Sequence, residues 1–484
     1  MTSTITLTPT QRALVGMSRR VEDPSLIRLS YALLLTGPLD KAALGTAITA
    51  LTARHPELRL APWSPNGRVE VRPSVQPALT WEEPAAGDWP VRAAERSRQL
   101  ARRPFDREAE TPLRAAVIPV GVVRHVLLLC VDHAAADGWG LDLAAREISE
   151  LYASSIEARA PRLHPPPSLM LAEEDAMWLS SGAAADARSW WRTKLAALPA
   201  AAFAADPVPP PGGVRTLARS VTGVPEDVSR AAERVAREWR VPLYPLLVAV
   251  SAAVVGDFLA AGTIVTGVTA ANRVSPAAAR SLSARYNTLP VALDTEGSLD
   301  ALTHRAHVSL LDAYDRQQLP FAEIGALAQA LHRLAPGCVP GVSILYDRYP
   351  LAALRLVGIE AEPLMGVDDA GLPAPRSSPH LSHAHVVVFW RQGGGGLTLT
   401  VFTDSARHGA EASARIAASI VAALAAALEH PGEAIARGAE AEHPVADPPG
   451  PDAAEAPRLT PCGRLFPVEA LSPVPWPADD EART

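Results

Sequence analysis

Cysteine is scarce in this chain of 484 residues, and its three cysteines lie far apart. Cys130, Cys338 and Cys462 form no Cys-x-x-Cys pair, so we expect neither a disulfide framework nor a metal site. Unpaired cysteines are typical of a reducing compartment, and we therefore expect a cytoplasmic protein. Cys130 lies within an apolar run and is predicted to be a small core residue.

The chain also lacks a basic block and a long apolar segment. Lysine occurs only at positions 41 and 194, and the formal net charge is -7, which argues against a nucleic-acid partner. The longest apolar stretch, LLVAVSAAVVG at 246–256, is too short to span a bilayer, so we expect a core helix and no membrane partner. The N-terminus has no signal-peptide pattern.

Proline-rich segments divide the chain into predicted units. PRLHPPPSLM at 161–170 predicts a boundary, and FAADPVPPPGGV at 203–214 predicts a further connector. We therefore expect an N-terminal lobe at 1–165 and a C-terminal lobe at 166–440. Residues 441–484 are rich in proline, alanine and acidic residues, which predicts a disordered tail.

Helical and strand periodicities alternate along both predicted lobes, which is typical of an α/β fold. The patterns predict strands at 27–37, 114–121, 125–129 and 263–270, a strand after residue 214, and helices at 39–55, 141–152, 178–198, 225–239 and 245–260.

The stretch CVDHAAADGWG at 130–140 carries the clearest chemistry. It places His133 and Asp137 between a predicted buried strand and a predicted helix, where catalytic side chains concentrate. Gly138 and Gly140 allow a sharp turn and close approach to a ligand. A histidine there can take a proton from an amine or hydroxyl near neutral pH. The alternative is a structural histidine bonded only to its own loop.

DHAAADGWG resembles the His-His-x-x-x-Asp-Gly core of the condensation domains of nonribosomal peptide synthetases. Further segments resemble other motifs of this family, in order: LTPTQRAL at 7–14, RHPELRL at 54–60, FDREAETPLRAAV at 105–117, TGVTAANR at 266–273, YNTLPVAL at 286–293 and RQQLPFAEI at 316–324. The resemblance extends over about residues 5–430.

The resemblance implies two chloramphenicol-acetyltransferase-like lobes in a V-shaped pseudo-dimer, with the active site at their junction. It implies His133 as the group that deprotonates or orients the nucleophile, with Gly138 beside the reacting thioester. It implies that Asp137 and Arg273 form a structural ion pair. No covalent serine or cysteine nucleophile is indicated, so direct transfer is expected.

Asp132 stands where the family has its first histidine, a position usually considered structural. The change creates a second resemblance, because heterocyclisation domains carry Asp-x-x-x-x-Asp-x-x-Ser here; Gly140 occupies the serine position. Since neighbouring strand residues point to opposite faces, we expect Asp132 to point away from His133. Other acyltransferases, epimerisation domains and a non-catalytic docking module for carrier proteins or tailoring enzymes remain alternatives.

No adenylation, carrier or thioesterase motif accompanies the domain. The resemblance therefore implies work in trans on an acyl group that is held by a separate carrier protein, whose phosphopantetheine arm enters a tunnel. The acceptor is expected to be an amine or alcohol, free or carrier-bound, in the biosynthesis of an antibiotic or other secondary metabolite. No intrinsic cofactor is expected.

Overall fold

The two larger of three described β-sheets divide the chain into two α/β lobes, and the third sheet has two strands. This computed structural model describes residues 3–435 apart from 19–26, 62–67, 76–77, 85–87, 107–109, 166–170, 204–216, 335–339, 365–383 and 394–395. The predicted tail, nearly all of the 203–214 connector and the second half of the 161–170 boundary segment lie outside the described residues.

The described chain mixes strands and helices, although helices follow helices and strands follow strands in several places. The strands are β1 (Ser3–Thr6), β2 (Arg28–Thr36), β3 (Arg68–Val71), β4 (Ala78–Trp81), β5 (Leu113–Pro119), β6 (Arg124–Asp132), β7 (Leu217–Gly223), β8 (Thr263–Ala270), β9 (Asn287–Asp294), β10 (Val342–Arg348), β11 (Glu360–Pro363), β12 (Val386–Gly393) and β13 (Gly396–Asp404). The helices are α1 (Pro9–Ser18), α2 (Lys41–Arg54), α3 (Trp89–Arg102), α4 (Gly138–Ile156), α5 (Leu171–Leu179), α6 (Gly182–Ala196), α7 (Glu226–Glu238), α8 (Leu243–Phe258), α9 (Pro276–Ala279), α10 (Leu299–Tyr314), α11 (Phe321–His332), α12 (Ser405–His408) and α13 (Ala412–Glu429).

The first lobe has a five-stranded sheet in the order β11-β2-β6-β5-β4. Strand β6 is apolar from Val126 to Val131, where helices cover both of its faces. One face packs with α3 through Val126, Leu128 and Cys130, and the other packs with α2 and α4 through Leu127, Leu129 and Val131. Cys130 is buried, as predicted for a core residue.

The second lobe has a six-stranded sheet in the order β7-β13-β12-β10-β8-β9. The predicted core helix at 245–260 is α8, which is buried over most of its surface. Helix α13 is the one described helix that is long and apolar enough to cross a membrane by length and composition. Its apolar residues Ile416, Ile420 and Leu424 are buried in the core of this lobe.

One predicted helix is in fact two helices. The pattern at 178–198 predicts a single helix, but the structure has α5 and α6 with a break at Ser180–Ser181. The Ser181 side chain accepts a hydrogen bond from the Ala184 amide and caps α6. A serine that satisfies a free amide at a helix N-terminus favours a new start over continuation of the first helix.

A segment of the C-terminal half crosses to the first lobe. Strand β11 pairs antiparallel with β2, and Leu351 and Leu354 lie in the first-lobe core. The Tyr349 hydroxyl donates to the Ala32 carbonyl at 2.8 Å and accepts from the Ala32 amide at 3.0 Å. The lobe boundary at residue 165 stays a prediction, and this crossing adds a later segment to the first sheet.

Candidate active site

His133 lies in the short turn between the end of β6 and the start of α4. Its backbone amide donates to the Ile27 carbonyl at 3.2 Å, and the amides of Ala135 and Ala136 donate to the Asp132 carbonyl. The whole turn is buried. Because a rigid strand and helix hold both ends, the imidazole has a defined position.

The hydrogen bonding of His133 sets its tautomer. Its Nδ1 lies 3.0 Å from the Ala136 carbonyl, which can only accept a hydrogen bond, so Nδ1 carries the proton and Nε2 keeps a lone pair. The Tyr286 ring stacks on the imidazole at 5.1 Å. Burial lowers the pKa of His133, although the Ala136 hydrogen bond and the Asp137 charge oppose the shift. The ring is therefore neutral near pH 7 and able to accept a proton at Nε2.

Asp137 connects the two lobes. Its Oδ1 accepts the Gly140 amide at 2.9 Å, which caps α4, and pairs with Arg273 Nη2 at 2.5 Å. Its Oδ2 accepts the amides of Arg285 at 2.9 Å and Tyr286 at 3.3 Å. The ion pair implied by the resemblance is thus present, and both side chains are buried.

Arg273 in turn holds the segment that follows it. Its guanidinium donates to the carbonyls of Ala278, Ser281 and Ser283 at 2.8–3.1 Å. This pattern gathers the loop between β8 and β9 against the start of α4. Loss of Arg273 therefore removes several contacts of one loop together.

Asp132 is buried, and its carboxylate contacts the backbone of the turn and the Arg28 side chain. Its Oδ1 accepts the Ala134 amide at 3.0 Å, and its Oδ2 lies 3.6 Å from Arg28 Nη1. Its charge raises the pKa of His133, but burial has the larger effect and lowers it. Asp132 therefore helps to fix the conformation of the turn that carries His133.

The two glycines of the motif have different surroundings. Gly138 begins α4, next to Asp137. A Cβ on Gly140 would lie 2.9 Å from the carbonyl carbon of Leu282 and closer still to its oxygen, far inside van der Waals contact. Trp139 between them donates from Nε1 to the Ala279 carbonyl at 3.0 Å. Close packing of the two lobes here requires glycine at 140.

Sequence reasoning missed several residues at this junction. Tyr286 is the first residue of the YNTLPVAL motif, but no local pattern predicts that it stacks on His133, because that contact depends on how the lobes meet. Glu57, within another quoted motif, is buried and accepts hydrogen bonds from the Ser281 and Ser283 hydroxyls, the latter at 3.2 Å. No local pattern predicts that this carboxylate binds a loop more than two hundred residues away.

Metal ligation has no support in the described part of the chain. No group of three or more histidine, cysteine, aspartate or glutamate side chains there is arranged to hold an ion. Burial raises the pKa of the Cys130 thiol, which disfavours the thiolate needed for ligation or nucleophilic attack. Cys338 and Cys462 lie outside the described residues.

Comparison with known proteins matches the sequence and the fold to one group. The condensation-domain family model matches residues 1–437. Isonitrile lipopeptide synthase of Mycobacterium tuberculosis is 26% identical over 376 residues, which cover 74% of this chain and 15% of that protein. The chain spans less than a third of the length of the curated relatives that it matches.

Solved structures share the fold. The condensation domain of the monacolin K polyketide synthase MokA has a TM-score of 0.73 at 15% identity, covering 90% of this chain and 99% of that one. The starter condensation domain of rhizomide synthetase, solved with C8-CoA and Leu-SNAC, has a TM-score of 0.71 at 18% identity, covering 89% and 96%. The predicted pair of acetyltransferase-like lobes in a V-shaped pseudo-dimer is confirmed.

Proposed function

The chain belongs to the condensation-domain family of nonribosomal peptide synthetases, and from this premise we propose that it transfers an acyl group from a carrier-protein thioester to an amine or alcohol. The observation that carries the proposal is the His133 tautomer. A neutral imidazole with its proton on Nδ1 presents Nε2 as a base at the junction of the lobes. Family membership supplies the reaction class, and this geometry supplies the residue.

The proposed step balances without a cofactor. The acceptor N–H or O–H loses its proton to His133 Nε2 as its nitrogen or oxygen attacks the thioester carbonyl. The carbon–sulfur bond then breaks, and the protonated imidazole returns the proton to the leaving thiolate. Because a thioester is already activated, orientation of the two reactants provides most of the acceleration, about 7–11 kcal/mol at best.

The other residues of the site position His133 or leave room for the substrate in this proposal. Asp137 and Arg273 hold the turn against the second lobe, and Asp132 shapes the turn from within. Gly138, at the start of α4, leaves space beside the reacting carbonyl. Tyr286 stacks on His133 and limits rotation of its ring.

A heterocyclisation activity is disfavoured by the packing of Gly140. The serine of that motif would need a Cβ at this position, where the Leu282 carbonyl already lies. A serine would require the loop between β8 and β9 to move away from α4. The surroundings of position 140 therefore support condensation.

The partner we propose is an acyl carrier or peptidyl carrier protein that acts in trans. Its phosphopantetheine arm holds the acyl group and enters the tunnel between the lobes from one face, while the acceptor enters from the other face. The proposal includes a cytoplasmic location and a role in secondary metabolism. It includes no nucleic-acid or membrane partner, and the net charge of -7 argues against the nucleic-acid partner.

The test is intact-protein mass spectrometry of acyl-loaded carrier proteins incubated with the full chain and a panel of amines and alcohols. We expect loss of acyl from one carrier, together with an acylated acceptor, for wild type and not for His133→Ala. Asp142→Asn, a surface change on the same helix, is the matched control and should retain transfer. Tight binding of a carrier without acyl loss across the panel would favour the docking-module alternative.

A further inference from the structure

Arg28 is a buried cation directly opposite Asp132. The two residues are Cα partners across β2 and β6, and Arg28 Nη1 lies 3.6 Å from Asp132 Oδ2. Their side chains are 5% and 3% exposed. The Arg28 guanidinium also lies over the Phe105 ring, 4.8 Å from its centre. A charge this deeply buried requires a counterion, and Asp132 occupies that position.

The other acidic side chain described near Arg28 is paired with different arginines, so Asp132 is the counterion of Arg28. A second guanidinium, that of Arg114, lies over the same Phe105 ring at 3.9 Å. Arg114 pairs with Glu110, which also pairs with Arg103. Within the described residues, Arg28 forms no other ion pair, and its Nε and Nη1 have no hydrogen-bond partner. Among the side chains that the structure describes, removal of the Asp132 charge would therefore leave Arg28 without an ion-pair partner.

The other oxygen of Asp132 acts on the turn that carries His133. Oδ1 accepts the Ala134 amide, and the Asp132 carbonyl accepts the amides of Ala135 and Ala136. The same turn presents the Ala136 carbonyl to His133 Nδ1. We therefore expect a displacement of the Asp132 side chain to shift the Ala136 carbonyl, which is the acceptor for His133 Nδ1.

We propose that Arg28 and Asp132 form one positioning unit for His133, in which Arg28 holds the aspartate that replaces the first histidine of the family motif. The unit deepens the proposed function and rests on it for its catalytic consequence. Asp132→His would then be no simple return to the family pattern. It would place an imidazole against a buried guanidinium that has lost its counterion.

The arrangement predicts how the effects of Asp132→His and Arg28→Gln on acyl transfer combine. Asp132→His alone should lower kcat by about tenfold or more while KM changes by less than about threefold, because orientation of the base is lost and substrate contacts are kept. Adding Arg28→Gln removes the unpaired charge and should restore most of the loss. The second substitution is therefore expected to improve the first, which independent sites do not do.

The experiment compares wild type, Asp132→His, Arg28→Gln and the double variant as full chains. Steady-state acyl transfer gives kcat and KM, and urea unfolding gives the coupling in stability. Nitrogen NMR of the His133 ring reports which nitrogen carries the proton. Asp132→Asn, alone and with Arg28→Gln, provides the same cycle if the histidine variants do not fold.

The matched control is another cross-strand ion pair, Asp347 with Arg391 at 3.2 Å, whose residues are Cα partners on β10 and β12. Asp347→Asn should lower the unfolding midpoint and leave the His133 ring signal unchanged, whereas Asp132→Asn should change both.

Two results would overturn the inference: losses that simply add in the Arg28–Asp132 cycle, or a His133 signal that Asp132→Asn leaves as in wild type. If wild type transfers no acyl group, the proposed function fails, and the ring signal and the unfolding cycle still decide this inference.

Discussion

Neutralising Asp137 should destabilise the protein more than any comparable change on the surface of α4. Asp137→Asn keeps an oxygen that can cap the helix, so loss of the cap is a minor part of the effect. It removes the counterion of the buried Arg273 and turns an acceptor that serves the Arg285 and Tyr286 amides into a mixed donor and acceptor. Breaking a buried ion pair of this kind costs about 3–5 kcal/mol.

The magnitude translates into a clear thermal shift. At about 2–4 °C per kcal/mol for units of this size, a loss of 3 kcal/mol lowers Tm by about 6–12 °C. Asp142→Asn is the control, because its ion pair with Arg146 lies one turn further along the same helix, and the two side chains are 40% and 67% exposed. Its loss should cost less than about 0.5 kcal/mol.

Thermal unfolding gives the Tm and urea unfolding gives the free energy of unfolding for both variants and wild type, each followed by tryptophan fluorescence. The reasoning would be refuted if Asp137→Asn unfolded within about 1 kcal/mol of wild type, or if it matched Asp142→Asn, because the buried pair would then not hold the lobes.

Three further predictions concern the turn and the pH response. The acyl-transfer rate should have an acid-side midpoint below pH 6.5, since burial lowers the pKa of His133 from that value; rates across about pH 5–8 check it, and a midpoint at or above 6.5 contradicts it. Gly140→Ala should lower the free energy of unfolding by about 1–3 kcal/mol through overpacking. Gly16→Ala, with open space around its Cβ, should raise it slightly; equal effects in calorimetry would contradict the packing argument. Burial lowers the pKa of His408 to about 3. As the pH falls below 6.5, His408 is protonated in the unfolded state before it is protonated in the folded state. The free energy of unfolding therefore decreases between about pH 6.5 and pH 3. His408→Gln should reduce that loss in urea midpoints measured against pH, and an unchanged pH slope would count against it.

Local patterns predicted much of the fold because the strands and helices of each lobe have clear periodicity. The buried strand before His133 and the helix after Asp137 come from such patterns, and the structure places them as β6 and α4. The break at Ser181 was missed because the apolar spacing continues across it. A capping serine acts through one hydrogen bond, which periodicity does not record.

The parts of the site that were not predicted depend on contacts between distant segments. The opposition of Arg28 and Asp132 follows from strand register, and the approach of Gly140 to Leu282 follows from how the lobes meet. The ion pair of Asp137 with Arg273 was expected only through the resemblance to a known family. Physical patterns in one sequence specify elements well, while pairings across more than a hundred residues need the assembled core.

The most direct test of the account is single-turnover acyl transfer from one loaded carrier protein to its acceptor, with wild type and His133→Ala compared at equal carrier occupancy. The account predicts that the variant binds the carrier as wild type does and transfers about 10²–10⁴-fold more slowly, because only the base is lost. Transfer by His133→Ala within about threefold of wild type would contradict the assignment of His133 as the proton acceptor.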